Sequence, residues 1–339
     1  MRKYDIHFSD RIPVGEMGSG DTPTINCVGW NPLPSNCRGA GATDMIASVG
    51  TNGTFIFKYS DTRSAWLPMK ICPRRPSAGS ALEWNNNGKS LATSSKPTRK
   101  RPGKVFLLDY VVSSTDFHAS EIMDCPAGDS VSSLAWSHND EFLLAVLEPS
   151  SQIHFFKKSP DMPFQNLGYS NAYMKYNKVV MQFHPRTDSL FTCGYKSKSI
   201  MWKIMQSVTC ESGVIQLSFD PQNHLVTVEK NNVCKWWAFI EGNAYHSLTT
   251  TFEFEDTSAK NNKRSDVMCI DFSSKETNLM AIGGRLDTIA LREYQRIDNG
   301  NDGIAMNWTL EGSRPGNVCM GRLNCLKFNP QVSFDFLIF

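Results

Sequence analysis

The chain has 339 residues, 40% hydrophobic and 20% charged, enough to bury a large core as two domains or one large all-β domain; wholesale disorder is excluded. Its 35 Lys and Arg against 33 Asp and Glu leave a net charge of +2, so the whole chain does not announce nucleic acid and only a local patch could. No apolar run nears the ~20 residues that span a bilayer, and Met1-Arg2-Lys3-Tyr4-Asp5 leads into no signal-type apolar stretch, so an intracellular protein with no membrane partner is expected, in nucleus or cytoplasm.

In chain order, residues 1–20 hold a short alternating strand, YDIHF (4–8), and a Gly-rich stretch, GEMGSG (15–20), that opens no helix and reads as a flexible linker. From residue 21 to 339 one unit recurs. Its first strand ends in an aromatic: INCVGW (25–30), GSALEW (79–84), VSSLAW (131–136), KVVMQF (178–183), VIQLSF (214–219), VMCIDF (267–272) and LNCLKF (323–328). Two positions before the aromatic stands an apolar residue each time: Val28, Leu82, Leu134, Met181, Leu217, Ile270, Leu326. A polar turn follows in most units, such as NNNGKS, SHNDEF or DPQNH, then a second apolar run such as SLATSS or FLLAVLE. Six units add a third run, among them TFIFKY, KVFLLDY and VCKWWAF. A fourth strand shows in several connectors, for example residues 248–255 and 306–312.

The anchors Trp30, Trp84, Trp136, Phe183, Phe219, Phe272 and Phe328 are 54, 52, 47, 36, 53 and 56 residues apart, a period that fits one unit of three to four antiparallel strands. No long segment carries a 3.6-residue apolar rhythm, so helical repeats fit poorly. Four-stranded sheets repeated radially make a β-propeller. The expectation is an all-β fold of about seven blades, starting near residues 25, 79, 131, 178, 214, 267 and 323, with the C-terminal blade incomplete.

The unit resembles a WD-repeat blade: a small or apolar first strand ending in an aromatic, a polar turn, then an L-A-type second strand. It departs from that family in having no Trp-Asp dipeptide and no Gly-His pair before a first strand. The buried His–Ser–Asp–Trp network of strong WD repeats is therefore expected to be missing. The resemblance implies a non-catalytic interaction platform, a subunit of a nuclear or cytoplasmic assembly such as a nuclear pore or transcription-regulator complex.

The residues carry no catalytic or cofactor signature, and none is assigned. Gly88-Lys89-Ser90 lacks the upstream glycine of a phosphate loop, Glu83 standing there, and reads as a turn. His138, His184 and His224 fall in or beside equivalent turns of different units, cannot share a site, and read as surface turn residues. None of the ten cysteines is paired as C-x-x-C, so no metal is assigned and reduced, mostly buried thiols are expected.

One feature stands above this background. Arg74 and Arg75 lie in PRRP (73–76), and Lys96, Arg99, Lys100, Arg101 and Lys104 in KPTRKRPGK (96–104). By the resemblance, connectors between units and turns between second and third strands share one face. Lys196, Lys198, Lys230 and Arg285 add to such turns, and Lys263-Arg264 to a connector. A basic face of this kind attracts an acidic segment of a partner protein, or alternatively a nucleic-acid backbone. Without interleaved aromatics, base stacking is not supported. A solvated loop or a localisation signal is the bland alternative. At the C-terminus, residues 323–328 and 334–339 supply two strands of a last blade, and residues 4–8 suit a ring-closing fourth. The missing strand points to a longer natural chain or to strand donation by a partner.

Overall fold

The computed structural model describes residues 24–32, 44–60, 62–63, 65–72, 76–158, 164–171, 179–186, 190–194, 199–202, 206–210, 212–230, 233–240, 244–253, 267–273, 279–284, 288–298, 304–315, 326–328 and 336–338. They contain strands and turns and no helix. The first sheet runs β1 (Ile25–Trp30), β2 (Met45–Gly50), β3 (Gly53–Ser60), β4 (Ala65–Pro68). The second contains β5 (Ile71–Cys72), β6 (Leu82–Trp84), β7 (Ser90–Ser95), β8 (Lys104–Val111) and β9 (Asp116–Asp124), in the order β5-β9-β8-β7-β6. The third runs β10 (Ser130–Trp136), β11 (Phe142–Glu148), β12 (Gln152–Lys157), β13 (Gln165–Asn171).

The fourth runs β14 (Val179–Phe183), β15 (Leu190–Gly194), β16 (Ser199–Trp202), β17 (Gln206–Thr209), and the fifth β18 (Val214–Phe219), β19 (Leu225–Glu229), β20 (Val233–Ile240), β21 (Ala244–Glu253). The sixth runs β22 (Val267–Phe272), β23 (Leu279–Gly284), β24 (Thr288–Asp298), β25 (Ile304–Pro315); β26 (Leu326–Phe328) and β27 (Phe336–Ile338) pair with each other. The described residues divide into two compact units, one through Val179 and one from Val180 on. The stretch 4–8 lies outside the described residues.

Sequence pattern explains these sheets locally. The second strands β2 and β7 are buried along their whole length, which is why they read as unbroken apolar and small residues, MIASVG and SLATSS. The first strands bury the residue two before the anchor: Val28, Leu82, Leu134, Met181, Leu217 and Ile270 are all in the core. Between the first and second sheets Val49, Ile56, Leu91, Leu108 and Phe117 pack together; between the second and third, Val105, Val131, Leu143, Leu147 and Phe156 do so.

Neighbouring first strands are also tied by side chains reaching the next backbone. Asn26 donates to the Gly79 carbonyl, Ser80 to the Val131 carbonyl, and the Gln216 amide both donates to and accepts from Ile270. Trp84 Nε1 donates to the Gly29 carbonyl and Trp136 Nε1 to that of Glu83, each at 3.1 Å. Gly79 lies tight against β7 of its own sheet, where a Cβ would stand 2.0 Å from the Ser94 carbonyl oxygen; no other residue fits. Trp30 differs: it is only half-buried and packs edge-on against Trp66 of its own sheet.

One reading of the sequence needs correcting. His224 is not a bare surface residue, because its Nδ1 meets the fully buried Asp220 carboxylate at 2.8 Å within the turn. The fifth sheet buries polar contacts of its own: Trp237 Nε1 on β20 donates to Thr227 Oγ1 on β19 at 3.1 Å, and buried Glu229 on β19 accepts from the Ser212 amide and hydroxyl and faces Lys235 at 3.2 Å.

Candidate functional site

The second sheet builds the candidate site at the turn between β7 and β8. Their ladder ends at the pair Ser95–Lys104, leaving residues 96–103 to cross. The Lys96 amide donates to the Ala78 carbonyl at 2.6 Å, fixing the outgoing chain to the connector before β6. Pro97 has no N–H to continue the ladder. Beyond it Thr98 and Arg101 form a two-bond bridge, Thr98 N to Arg101 O at 2.8 Å and Arg101 N to Thr98 O at 3.4 Å, with Arg99 and Lys100 at the tip. Thr98 Oγ1 caps this turn by accepting the Arg101 amide at 3.1 Å and the Lys100 amide at 3.4 Å. On the return, the Gly103 carbonyl accepts the Cys125 amide at 2.8 Å. A Cβ at Gly103 would lie 2.9 Å from the Asp129 carbonyl oxygen and 3.1 Å from that of Ser95, so only glycine lets the loop seat there.

Electrostatics separate the cations. Lys96, Arg99, Lys100 and Arg101 are exposed and form no ion pair among the described residues. Lys104 does not belong with them: its ammonium is held by Glu121 and by Asp124 at 3.1 Å, both on the adjacent β9. The Glu121 hydrogen bond, then the Asp124 one, raise its pKa. That charge is internally neutralised, and the hairpin register that pairs Lys104 with Asp124 carries the signal. Arg74, Arg75, Lys196, Lys198, Lys263, Arg264 and Arg285 lie outside the described residues or their described side chains. Lys230 is exposed beside the turn after β19.

At the foot of this hairpin lies a group that reading the sequence alone passed over. Asp129, whose carbonyl abuts Gly103, and His154 on β12 are both buried, and Asp129 Oδ2 and His154 Nδ1 have no hydrogen-bond partner among the described residues. His154 Nε2 meets Gln152 Oε1 at 3.2 Å, and its ring lies against Tyr169. The thiol of Cys125 beside them is pushed up to about 12 by burial, with Asp129 and Asp124 adding to the effect, so it is an inert core thiol. Among the described residues no group of three or more His, Cys, Asp and Glu is arranged to hold a metal, and no helix is long and apolar enough to cross a membrane.

Sheets of this construction, repeated in sequence order with the first strand tied to its neighbour, define a β-propeller. Comparison with solved structures agrees. The chain is similar to a Bacteroides uniformis protein provisionally assigned as a 6-phosphogluconolactonase (13% identity, 85% of this chain and 84% of that one, TM-score 0.63). It is similar to the WD40 repeats of RRP9 (14%, 92% and 86%, TM-score 0.61) and to the β-propeller domain of Myceliophteria thermophila Cps50 (Swd1) (13%, 90% and 90%, TM-score 0.57). At these identities the likeness shows the fold alone. No family model and no curated protein sequence matches the chain.

Proposed function

We propose that the chain is a non-catalytic interaction scaffold, a divergent WD-repeat-like propeller of seven blades within an intracellular multiprotein assembly of nucleus or cytoplasm. We assign the basic hairpin of the second sheet as the surface that docks an acidic segment of a partner protein. The observation that carries this reading is a hairpin seated at Lys96 and Gly103 that presents Lys96, Arg99, Lys100 and Arg101 to solvent, none of them paired with a carboxylate among the described residues. Cations grouped on a seated hairpin raise association rates and orient an acidic ligand, and the backbone that carries them pays no ordering penalty on binding. The WD40 names among the structural neighbours support the scaffold reading, and the lactonase names mark the rival, a propeller hydrolase.

The test is binding of a fluorescent Glu-rich peptide by the purified protein and by the variant Arg99→Glu/Lys100→Glu/Arg101→Glu. The variant should melt like the parent and bind roughly tenfold or more weakly. Unchanged peptide binding by the variant would overturn the reading. Duplex DNA bound more tightly than the peptide, with affinity falling by roughly 0.9 log units per log unit of salt for each phosphate neutralised, would install the nucleic-acid reading instead. Hydrolysis of a sugar lactone that survives the triple substitution would install the enzyme.

A further inference from the structure

The docking hairpin contains its own off-switch. We infer that Thr98 is a phosphate-accepting site whose modification closes the basic surface; the inference rests on the docking reading and adds a regulator to it. Three observations meet at this residue. Its side chain is exposed at the head of the turn, whereas Ser94 and Ser95 on the same segment are 0% and 5% exposed, so a modifying enzyme can reach Thr98 and not its neighbours. It is bracketed by Lys96 before it and Arg99, Lys100 and Arg101 after it, all exposed and none in an ion pair among the described residues, the charge pattern that the carboxylate-lined groove of a basophilic protein kinase selects. Its Oγ1 already faces two backbone donors, the amides of Arg101 and Lys100.

The bonds that close the tip, the Thr98–Arg101 bridge and the threonine cap, are separate from the β7–β8 ladder, which ends at Ser95–Lys104, so an enzyme that draws Thr98 out breaks the tip and leaves the seat of the hairpin in place. In the transfer, Thr98 Oγ1 forms a bond to the γ-phosphorus of ATP. The bond from that phosphorus to the β–γ bridging oxygen breaks, ADP leaves with the electron pair, and the hydroxyl proton passes to the kinase's base. The product carries about −1.5 to −2 charges at pH 7 and three acceptor oxygens, amid four cations and two amides. The local charge therefore falls from +4 to about +2, and the remaining cations turn inward on the phosphate instead of outward to a ligand.

The experiment treats the full chain with a basophilic kinase and ATP, maps phosphate by intact mass and fragmentation, and measures the Glu-rich peptide before and after. Phosphate should map to Thr98 and be absent there in Thr98→Ala, and peptide affinity should fall roughly tenfold. Thr98→Glu, with one charge and fewer acceptors, should give a smaller loss. Phosphate on other residues with Thr98 untouched, or a phosphorylated Thr98 with unchanged affinity, would overturn the switch. Failure of the unmodified protein to bind the peptide at all would remove the docking reading and the switch with it. In that case the mapped phosphate still decides separately whether Thr98 is an acceptor.

Discussion

Trp84 and Trp136 show what the repeated aromatic anchor does. Each fills the core at the end of its first strand and also donates its indole N–H to a carbonyl of the preceding sheet. Trp136→Ala removes both the buried ring and a bond between sheets, and should destabilise the protein by about 3–5 kcal/mol in denaturant unfolding. Trp30→Ala should cost clearly less, since Trp30 is half-buried. His154 sets a pH dependence. Burial lowers its pKa, and Asp129 opposes that shift without cancelling it. The unfolded chain, with an ordinary imidazole near pH 6.5, then takes up the proton first on acidification. Stability tied to neutral His154 is therefore complete above about pH 6.5 and is lost as pH falls below it. Melting temperature should decline on acidification through that window, and His154→Gln should flatten the decline.

At the scale of elements, the edges of the sheets differ in how they are protected. The outer strand β9 carries Asp116, Glu121 and Asp124 and is covered in parallel by Ile71–Cys72. By contrast β13, the outer strand of the third sheet, has no charged residue and exposes Leu167 and Tyr169. Uncharged, exposed edges invite intermolecular pairing. Leu167→Lys should reduce aggregation in light scattering while leaving the melting temperature in place, since that side chain is half-exposed already.

The first strands were legible in the sequence because their pattern, an apolar residue two before an aromatic with a polar turn after it, follows directly from the period of the strand. What was not legible obeys no such period. A two-residue strand such as Ile71–Cys72 is too short to show alternation, and its partner β9 lies more than forty residues on. The bulge that recurs near the start of β1, β10, β18 and β22 leaves Asn26, Ser132, Ile215 and Met268 out of the ladder register, two polar residues and two apolar ones that share no pattern. The basic run 96–104 was visible, but its division into four outward cations and the sequestered Lys104 depended on carboxylates seventeen and twenty residues away.

At the scale of the molecule, the unit through Val179 is held by ties between successive sheets as well as by its apolar core, and at Asp140 three hydrogen bonds converge on one carboxylate. Its carboxylate is buried and accepts the Asn86 amide at 2.7 Å, the Asn86 side chain at 3.0 Å and the Asn87 amide at 2.9 Å, joining the turn after β10 to the turn after β6. Its backbone is left-handed, with φ of 60°, a conformation that Asp and Asn tolerate better than Ala. Two substitutions therefore separate the effects. Asp140→Asn keeps the backbone preference but replaces one acceptor oxygen with an NH2 group aimed at an amide donor, and should cost about 1.5–3 kcal/mol. Asp140→Ala adds backbone strain and should cost more. Because the tie spans two sheets, the loss should not stay local: in native-state hydrogen exchange, amides of β7 in the second sheet and of β11 in the third should lose protection together and by similar amounts. If Asp140→Asn lowered protection only in β11, the second and third sheets would be separate folding units and the ties between their turns would be incidental to stability.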